Sequence, residues 1–317
     1  MKKPVFDYFK NLHEVGLKIK DGTIIETSKN VSEINPHVSS SVKEILINKD
    51  RIFYSKNWDG QFSACSIGTS KMYNDIGILT PPVFVMKSKT ASNSPWSTAP
   101  QTFLRTITED VRSIDGYQLK QADKVLNAII YDLNMFLGQW DMVNIRTVRN
   151  ALLAYMTPEC LDELTGMFLI DELRTEIDRH TQNYFLARKP NSPFWEHVIP
   201  IDNELTHILY NYSGTSYFNM FFENLLKQKY SSYTVTERMS CSNYIERMRD
   251  MMDLVHEGKL SKENISLLKK TLAYDYAGTI KKCCSTKDLN PYKDNLYSLY
   301  SRLWDYNREN LGKELGM

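Results

Sequence analysis

Asp178-Arg179-His180-Thr181-Gln182-Asn183, followed by Val198-Ile199-Pro200-Ile201-Asp202, is the stretch on which the reading of this chain turns. An apolar helical periodicity runs into the first group through Leu161, Leu164, Phe168 and Leu173. Tyr184-Phe185-Leu186-Ala187 leaves it as a strand, and the turn-rich spacer Lys189-Pro190-Asn191-Ser192-Pro193 returns the chain to a second strand ending at Asp202. The helix delivers a loop, and the hairpin brings Asn183 and Asp202 to the same end. Two carboxylates and an amide gathered in this way suit phosphoryl transfer from a nucleotide. One carboxylate accepts the proton of the attacking hydroxyl, while the amide and the second carboxylate hold Mg²⁺ against the phosphates. Outside that helix–loop–hairpin context the same residues read as an Asp at a helix end, an ion-pairing Arg and an Asn in a turn.

The string D-R-H-x-x-N, with a later Asp on an apolar strand, resembles the catalytic loop and metal-binding Asp of the HipA-like and phosphoinositide-kinase-like branches of the protein-kinase-like fold. The match covers roughly residues 161–210. The resemblance implies a two-lobed α+β protein. Its small mixed α/β N-lobe, residues 1–100, would cover the nucleotide, and its large, mainly helical C-lobe, residues 101–317, would carry the catalytic loop. It also implies Asp178 as the catalytic Asp, ATP as the donor, and Asn183 and Asp202 as the ligands of Mg²⁺, one neutral and one charged hard oxygen. Arg179 and His180 belong to the same catalytic loop and read as bracing it. Glu204 reads as an exposed acid or a further ligand, and Glu176 as structural.

A nucleotide site also needs a cation near the phosphates, usually a strand lysine held by a helix acid. Lys56, ending the alternating strand Arg51–Lys56, fits best, and Lys87, after Val83–Met86, comes next. Lys56 reads equally as a solvated turn lysine beside Asn57 and Asp59. Relatives of this type place a Glu at the start of the helix before the I-G-I-x-x-P-P segment. Ser66 stands there instead, and Asp75 lies at the other end of that helix. No G-x-G-x-x-G loop exists; the nearby glycines are Gly60 and Gly68. A helix start around Ser66–Ser70 would offer backbone N–H groups to phosphate in its place.

Around this centre the chain divides by composition. Leu17 to Ile25 alternates about Asp21-Gly22 as a hairpin, and Ser66 to Ile76 reads as a helix ended by Gly77. Lys87 to Gln101, rich in Ser, Thr, Pro and Asn around Trp96, is the expected hinge between lobes. Gln118–Leu137 and Ile145–Met156 read as helices, and Pro158 opens the helix leading to the catalytic loop. Ser240–His256, Ser261–Tyr274 and a last helix from Asn290-Pro291, bearing Tyr297, Tyr300, Leu303 and Trp304, complete the helical part.

Composition narrows the partners. The 317 residues suffice for two lobes, and 39 basic against 38 acidic residues leave no charge excess that calls for nucleic acid or an anionic membrane. No apolar run of about 18 residues suggests a membrane span. Met1-Lys2-Lys3-Pro4-Val5-Phe6-Asp7 turns polar before an apolar signal core develops, so a cytoplasmic protein is expected, or one exported without such a signal. Five cysteines without metal-ligand spacing and six scattered histidines read as reduced thiols and ordinary side chains. The resemblance favours a Ser or Thr hydroxyl of a protein as acceptor. A lipid or small-molecule hydroxyl, and a kinase-like fold that has lost turnover, are the alternatives.

Overall fold

In this computed structural model the described residues are 26–28, 42–48, 51–57, 60–81, 83–90, 101–111, 116–125, 128, 154–174, 182–203, 262–284 and 289–314. The Asp21-Gly22 hairpin, the Ser240–His256 helix and the Asp178–His180 loop lie outside them. The architecture mixes helix and strand. Strands β1 (Glu26–Ser28), β2 (Val42–Asn48), β3 (Arg51–Asn57), β4 (Val83–Thr90) and β5 (Gln101–Glu109) form one sheet in the order β1-β2-β3-β5-β4. Every neighbouring pair is antiparallel, with a register irregularity between Val42 and Glu44.

β5 pairs with β4 from Thr90↔Gln101 to Val83↔Thr108. The Lys87–Gln101 segment, expected as the hinge between lobes, therefore includes the facing ends of two hairpin strands, and the first sheet continues past residue 100 to Glu109. Ser- and Pro-rich composition does not show where the flanking strands end; register does. The signal for β5 was present in Thr102, Thr106, Ile107 and Thr108, β-branched residues that suit a pleated surface.

Helix α1 (Gly60–Ile76) follows β3 and is longer than the expected Ser66–Ile76. Gly77 ends it at φ +104, a left-handed conformation that glycine adopts without Cβ strain. A second sheet holds β6 (Gln118–Gln121), β7 (Tyr184–Arg188) and β8 (His197–Pro200) in that order. Gln118–Gln121 was expected to start a helix, but it is a strand, paired Leu119↔Ala187 and Lys120↔Leu186. Helical structure begins only at Ala122. β7 pairs with these four residues along one edge, and tertiary pairing overrides the local period. The end of the expected Ile145–Met156 helix differs too: Met156 bridges Trp195, whose N–H donates to the Tyr155 carbonyl at 2.8 Å.

Helix α2 (Pro158–Arg174) starts at Pro158 as expected. Proline at a first helical position loses no hydrogen bond, and Thr157 Oγ1 accepts from the Cys160 N–H at 3.2 Å, capping the first turn. The C-terminal part supplies α3 (Lys262–Leu272), α4 (Tyr276–Cys283) and α5 (Lys293–Glu314). Asp275 caps α4 by accepting from the Gly278 N–H at 2.8 Å.

Two apolar clusters hold these layers together. In the larger, Met72 and Tyr73 of α1, Leu164 and Ile170 of α2, and Tyr276, Ile280, Tyr300 and Trp304 of the C-terminal helices pack together. In the smaller, Leu79, Val111, Phe185, Ala187 and Ile199 gather with Tyr117, Leu119 and Ile201 at its margin. β7 runs between the clusters, giving Tyr184 and Leu186 to one and Phe185 and Ala187 to the other. Burial on both faces explains why its sequence is apolar throughout rather than alternating. α1 meets α4 closely enough that a Cβ on Gly68 would lie 2.5 Å from Ile280 Cδ1. The four described cysteines are free thiols, and burial pushes those of Cys283 and Cys284 up to about 11. No described helix is long and apolar enough to cross a membrane.

Because Ile280 is fully buried against α1, Ile280→Ala should lower the unfolding free energy by about 2–5 kcal/mol, the usual range for such a cavity. Denaturant unfolding reads this as a lower midpoint at unchanged slope. A loss within the roughly 0.5 kcal/mol of a surface change would mean that α4 does not dock on α1.

Candidate functional site

β3 carries the site's cation. Side chains two residues apart on a strand share a face, so Tyr54 and Lys56 stand side by side, opposite Thr108 and Thr106 of β5. The Tyr54 hydroxyl donates to Asp110 Oδ2 at 2.5 Å, tying β3 to the chain where it leaves the first sheet. Lys56 Nζ donates to Asp202 Oδ1 at 2.6 Å, with side chains 12% and 29% exposed. A charge-assisted bond at this depth is stronger than a surface ion pair, and removing one partner strands the other. It joins the first sheet to the segment that follows the second.

Asp202 has φ +53 and is, among the described residues, the one non-glycine in the left-handed region. Asp tolerates that region better than most residues but at a cost, so its surroundings must fix it. They do so from both sides. Before it, the Ile201 N–H donates to the Asn183 carbonyl at 3.0 Å, one step past the Tyr184↔Pro200 pair of β7 and β8. After it, the Asn203 carbonyl accepts from Arg174 Nη2 at 2.6 Å, and Asn203 Nδ2 donates to Thr80 Oγ1 at 3.3 Å. Thr80 in turn donates to the Pro200 carbonyl at 2.7 Å. Asn183 and Asp202 thus come to the same end of the hairpin, as the spacing predicts, and Asn183 is buried there.

Asp178, Arg179 and His180 lie outside the described residues, on the connection between the end of α2 and Asn183. Of the two candidate lysines, Lys56 is the one brought to Asp202; Lys87 lies on β4, opposite Leu104. The helix start expected at Ser66–Ser70 is instead at Gly60, which places those residues inside α1. There Thr69 Oγ1 donates to the Cys65 carbonyl at 2.7 Å and Ser70 Oγ to the Pro81 carbonyl at 2.6 Å. Their hydroxyls serve the helix and its exit, not a phosphate. Asp75 stays at the far end of α1, paired with Lys71 at 2.8 Å and accepting from the Tyr274 hydroxyl at 2.7 Å. Lys56 therefore has Asp202 as its acidic partner.

Several residues that hold the site were not singled out in the sequence. Arg174 is fully buried on the core face of α2, and Nε donates to the Tyr276 hydroxyl at 3.2 Å. That hydroxyl lies 2.9 Å from Thr69 Oγ1, whose own proton goes to Cys65, so Tyr276 is the donor there. Burial pushes the Tyr276 hydroxyl up to about 12 despite the lowering effect of Arg174, so it stays a neutral phenol. At the other end of β8, Glu163 accepts from the Val198 N–H at 3.0 Å and lies 3.3 Å from His197 Nδ1. The readable signal for Arg174 was its place in the apolar period of α2, four residues after Ile170.

No protein-family model and no curated protein matches the chain. Among solved structures the chain is similar to a Helicobacter pylori proinflammatory kinase, CtkA. That likeness has 14% identity and a TM-score of 0.41 over 81% of this chain and 94% of that one. It is also similar to a chain of the Shewanella oneidensis MR-1 toxin–antitoxin complex of HipA, HipB and operator DNA. There the values are 14% identity and a TM-score of 0.44 over 96% of this chain and 71% of that one. Likeness at this level carries no functional weight by itself; the side-chain geometry at Asp202 does.

Asp202→Gly and Asp202→Ala both remove the partner of Lys56 and differ only in what the backbone tolerates. At φ +53 the Gly variant should be the more stable by about 1 kcal/mol, measured by denaturant unfolding of the two proteins. An Ala variant of equal or greater stability would mean that the left-handed turn at this position is not kept in solution.

Proposed function

We propose that this chain is an ATP- and Mg²⁺-dependent phosphotransferase of two-lobed, protein-kinase-like build. Asp178 acts as its catalytic base, and Lys56, Asn183 and Asp202 form the nucleotide and metal site. The observation that carries this reading is the meeting of Lys56 with Asp202 beside Asn183, at the junction of the two sheets. The donor set suits the ion: one carboxylate and one amide are hard oxygen ligands. Among the described residues, Lys56 engages Oδ1 of Asp202, and Oδ2 can face a cation.

When bound, Mg²⁺ would neutralise charge on the phosphates and hold them in line. The chain's own residues do the rest. Lys56, aimed by Asp202, meets the phosphate oxygens. Asp178 orients the acceptor hydroxyl and takes its proton. Arg179 and His180 brace that loop. A Ser or Thr hydroxyl on a protein is the favoured acceptor, and a lipid or small-molecule hydroxyl the alternative within the same chemistry. The four described cysteines, free thiols, fit a reducing compartment.

A second reading, a kinase-like nucleotide binder without turnover, draws on two features. Buried Ser66 stands in place of a helix acid, and no glycine-rich loop exists in the sequence.

Thermal unfolding with ATP, with and without Mg²⁺, tests the site, because a ligand bound only to the native state raises its stability by mass action. ATP should stabilise the protein in a Mg²⁺-dependent way. Asp202→Asn should abolish the Mg²⁺-dependent part, and Lys56→Met should weaken ATP binding by about 1.5–3 kcal/mol. An undiminished shift in Asp202→Asn removes Asp202 from the metal site.

Labelled-ATP transfer to protein, to itself or to water tests the chemistry. Asp178→Asn should keep Mg²⁺–ATP binding and lower transfer about 100- to 10,000-fold. Unchanged transfer in that variant assigns the base elsewhere. A wild-type protein that binds Mg²⁺–ATP and never transfers phosphate selects the second reading.

A further inference from the structure

The left-handed turn at Asp202 is fixed on its C-terminal side by a residue that no solvent reaches. Arg174 is 0% exposed, and its guanidinium forks: Nη2 holds the Asn203 carbonyl at 2.6 Å, while Nε rests on the Tyr276 hydroxyl at 3.2 Å. A buried cation is costly unless its donors are satisfied, and this one spends a short bond on a backbone carbonyl adjacent to the strained residue. Tyr276 is fixed in turn. Its ring stacks on Trp304 with centroids 5.0 Å apart and meets Tyr300 edge-on at 5.2 Å, and its hydroxyl bonds to Thr69 of α1. This chain of contacts sets the peptide that follows Asp202.

We propose that Arg174 is a positioning residue: by holding the Asn203 carbonyl it aims the Asp202 carboxylate at Lys56, with Tyr276 orienting the guanidinium. The catalytic meaning of that aim rests on the phosphotransferase reading above; the aim itself does not. Arginine is required for its planar fork, because a lysine at 174 has one ammonium and cannot serve both acceptors with the same geometry.

The test is a double-mutant cycle on unfolding of the full chain, without nucleotide or metal. In the wild-type background, Lys56→Met and Asp202→Asn should couple about fivefold in the unfolding equilibrium constant, as contacting charged residues do. In an Arg174→Lys background the coupling should fall to about unity, even if the protein is otherwise only modestly less stable. A purely structural Arg174 would lower stability and leave the coupling intact, which overturns the proposal. An absence of coupling in the wild-type background overturns it as well. If Arg174→Lys does not fold, Tyr276→Phe gives the same reading, since it keeps the stacked ring and removes only the hydroxyl under Nε. A reduced coupling there supports the proposal and an unchanged one overturns it.

A second arm separates this inference from the reaction. In the presence of ATP, Arg174→Lys should raise the Mg²⁺ concentration needed for half-maximal thermal stabilisation about tenfold. Lost coupling with an unaltered Mg²⁺ requirement supports the positioning and takes Asp202 out of the metal site, which overturns the proposed function instead.

Discussion

The contact between Lys56 and Asp202 is the constraint around which the rest is arranged. It spans 146 residues of sequence and joins a strand of the five-stranded sheet to the segment leaving the three-stranded one. An ion pair between flexible surface side chains contributes little, because holding two long chains in one geometry offsets the attraction. This one is different in kind. Lys56 is set by a strand, with Thr106 beside it, and Asp202 by a backbone turn bonded on both sides. The backbones of both residues are already fixed by the fold, so the pair orients charge at less conformational cost than two flexible surface side chains would.

The supports beneath it are polar groups inside an otherwise apolar core. Thr69, Arg174 and Tyr276 are buried among Met72, Ile170 and Trp304. An all-apolar core would be as stable or more so, since buried charge contributes weakly to net stability. What the polar set adds is directionality: Arg174 holds both the Asn203 carbonyl and the Tyr276 hydroxyl, and so ties the segment after β8 to the C-terminal helices. Thr80 and Asn203 extend the same logic toward β4, binding the I-G-I-L-T-P-P segment to Pro200. That segment thus closes α1 and pins the turn at Asp202 with one hydroxyl.

The hairpin from Tyr184 to Asp202 and the helix opened by Pro158 were legible because each carries its own punctuation: a proline start, a turn-rich spacer and an unbroken apolar strand. Asn183 and Asp202 could be placed together from that alone. Lys56 was legible as the end of an alternating strand, but its partner was not, since a bond across 146 residues leaves no local pattern. Gln118–Gln121 went astray because pairing to a distant strand decided its state. Arg174 is the sharpest case. A charged residue in an apolar period reads as a boundary, whereas here it is interior, with partners supplied by Tyr276 and Asn203.

The close approach of α1 to the C-terminal helices reaches into how the chain folds. Gly68 sits under Ile280, and Cys65 Sγ lies 3.2 Å from the Tyr300 hydroxyl, 235 residues away in sequence. The helix that follows the Lys56 strand packs on α2, made midway along the chain, but finds its C-terminal partners late in synthesis. Until they emerge from the ribosome, the strip of α1 around Cys65 and Gly68 stays uncovered, and contacts of such separation form slowly because loop closure precedes their reward. The nascent chain carries that apolar strip of α1 exposed for most of its elongation, the kind of surface that chaperones hold and that aggregation exploits.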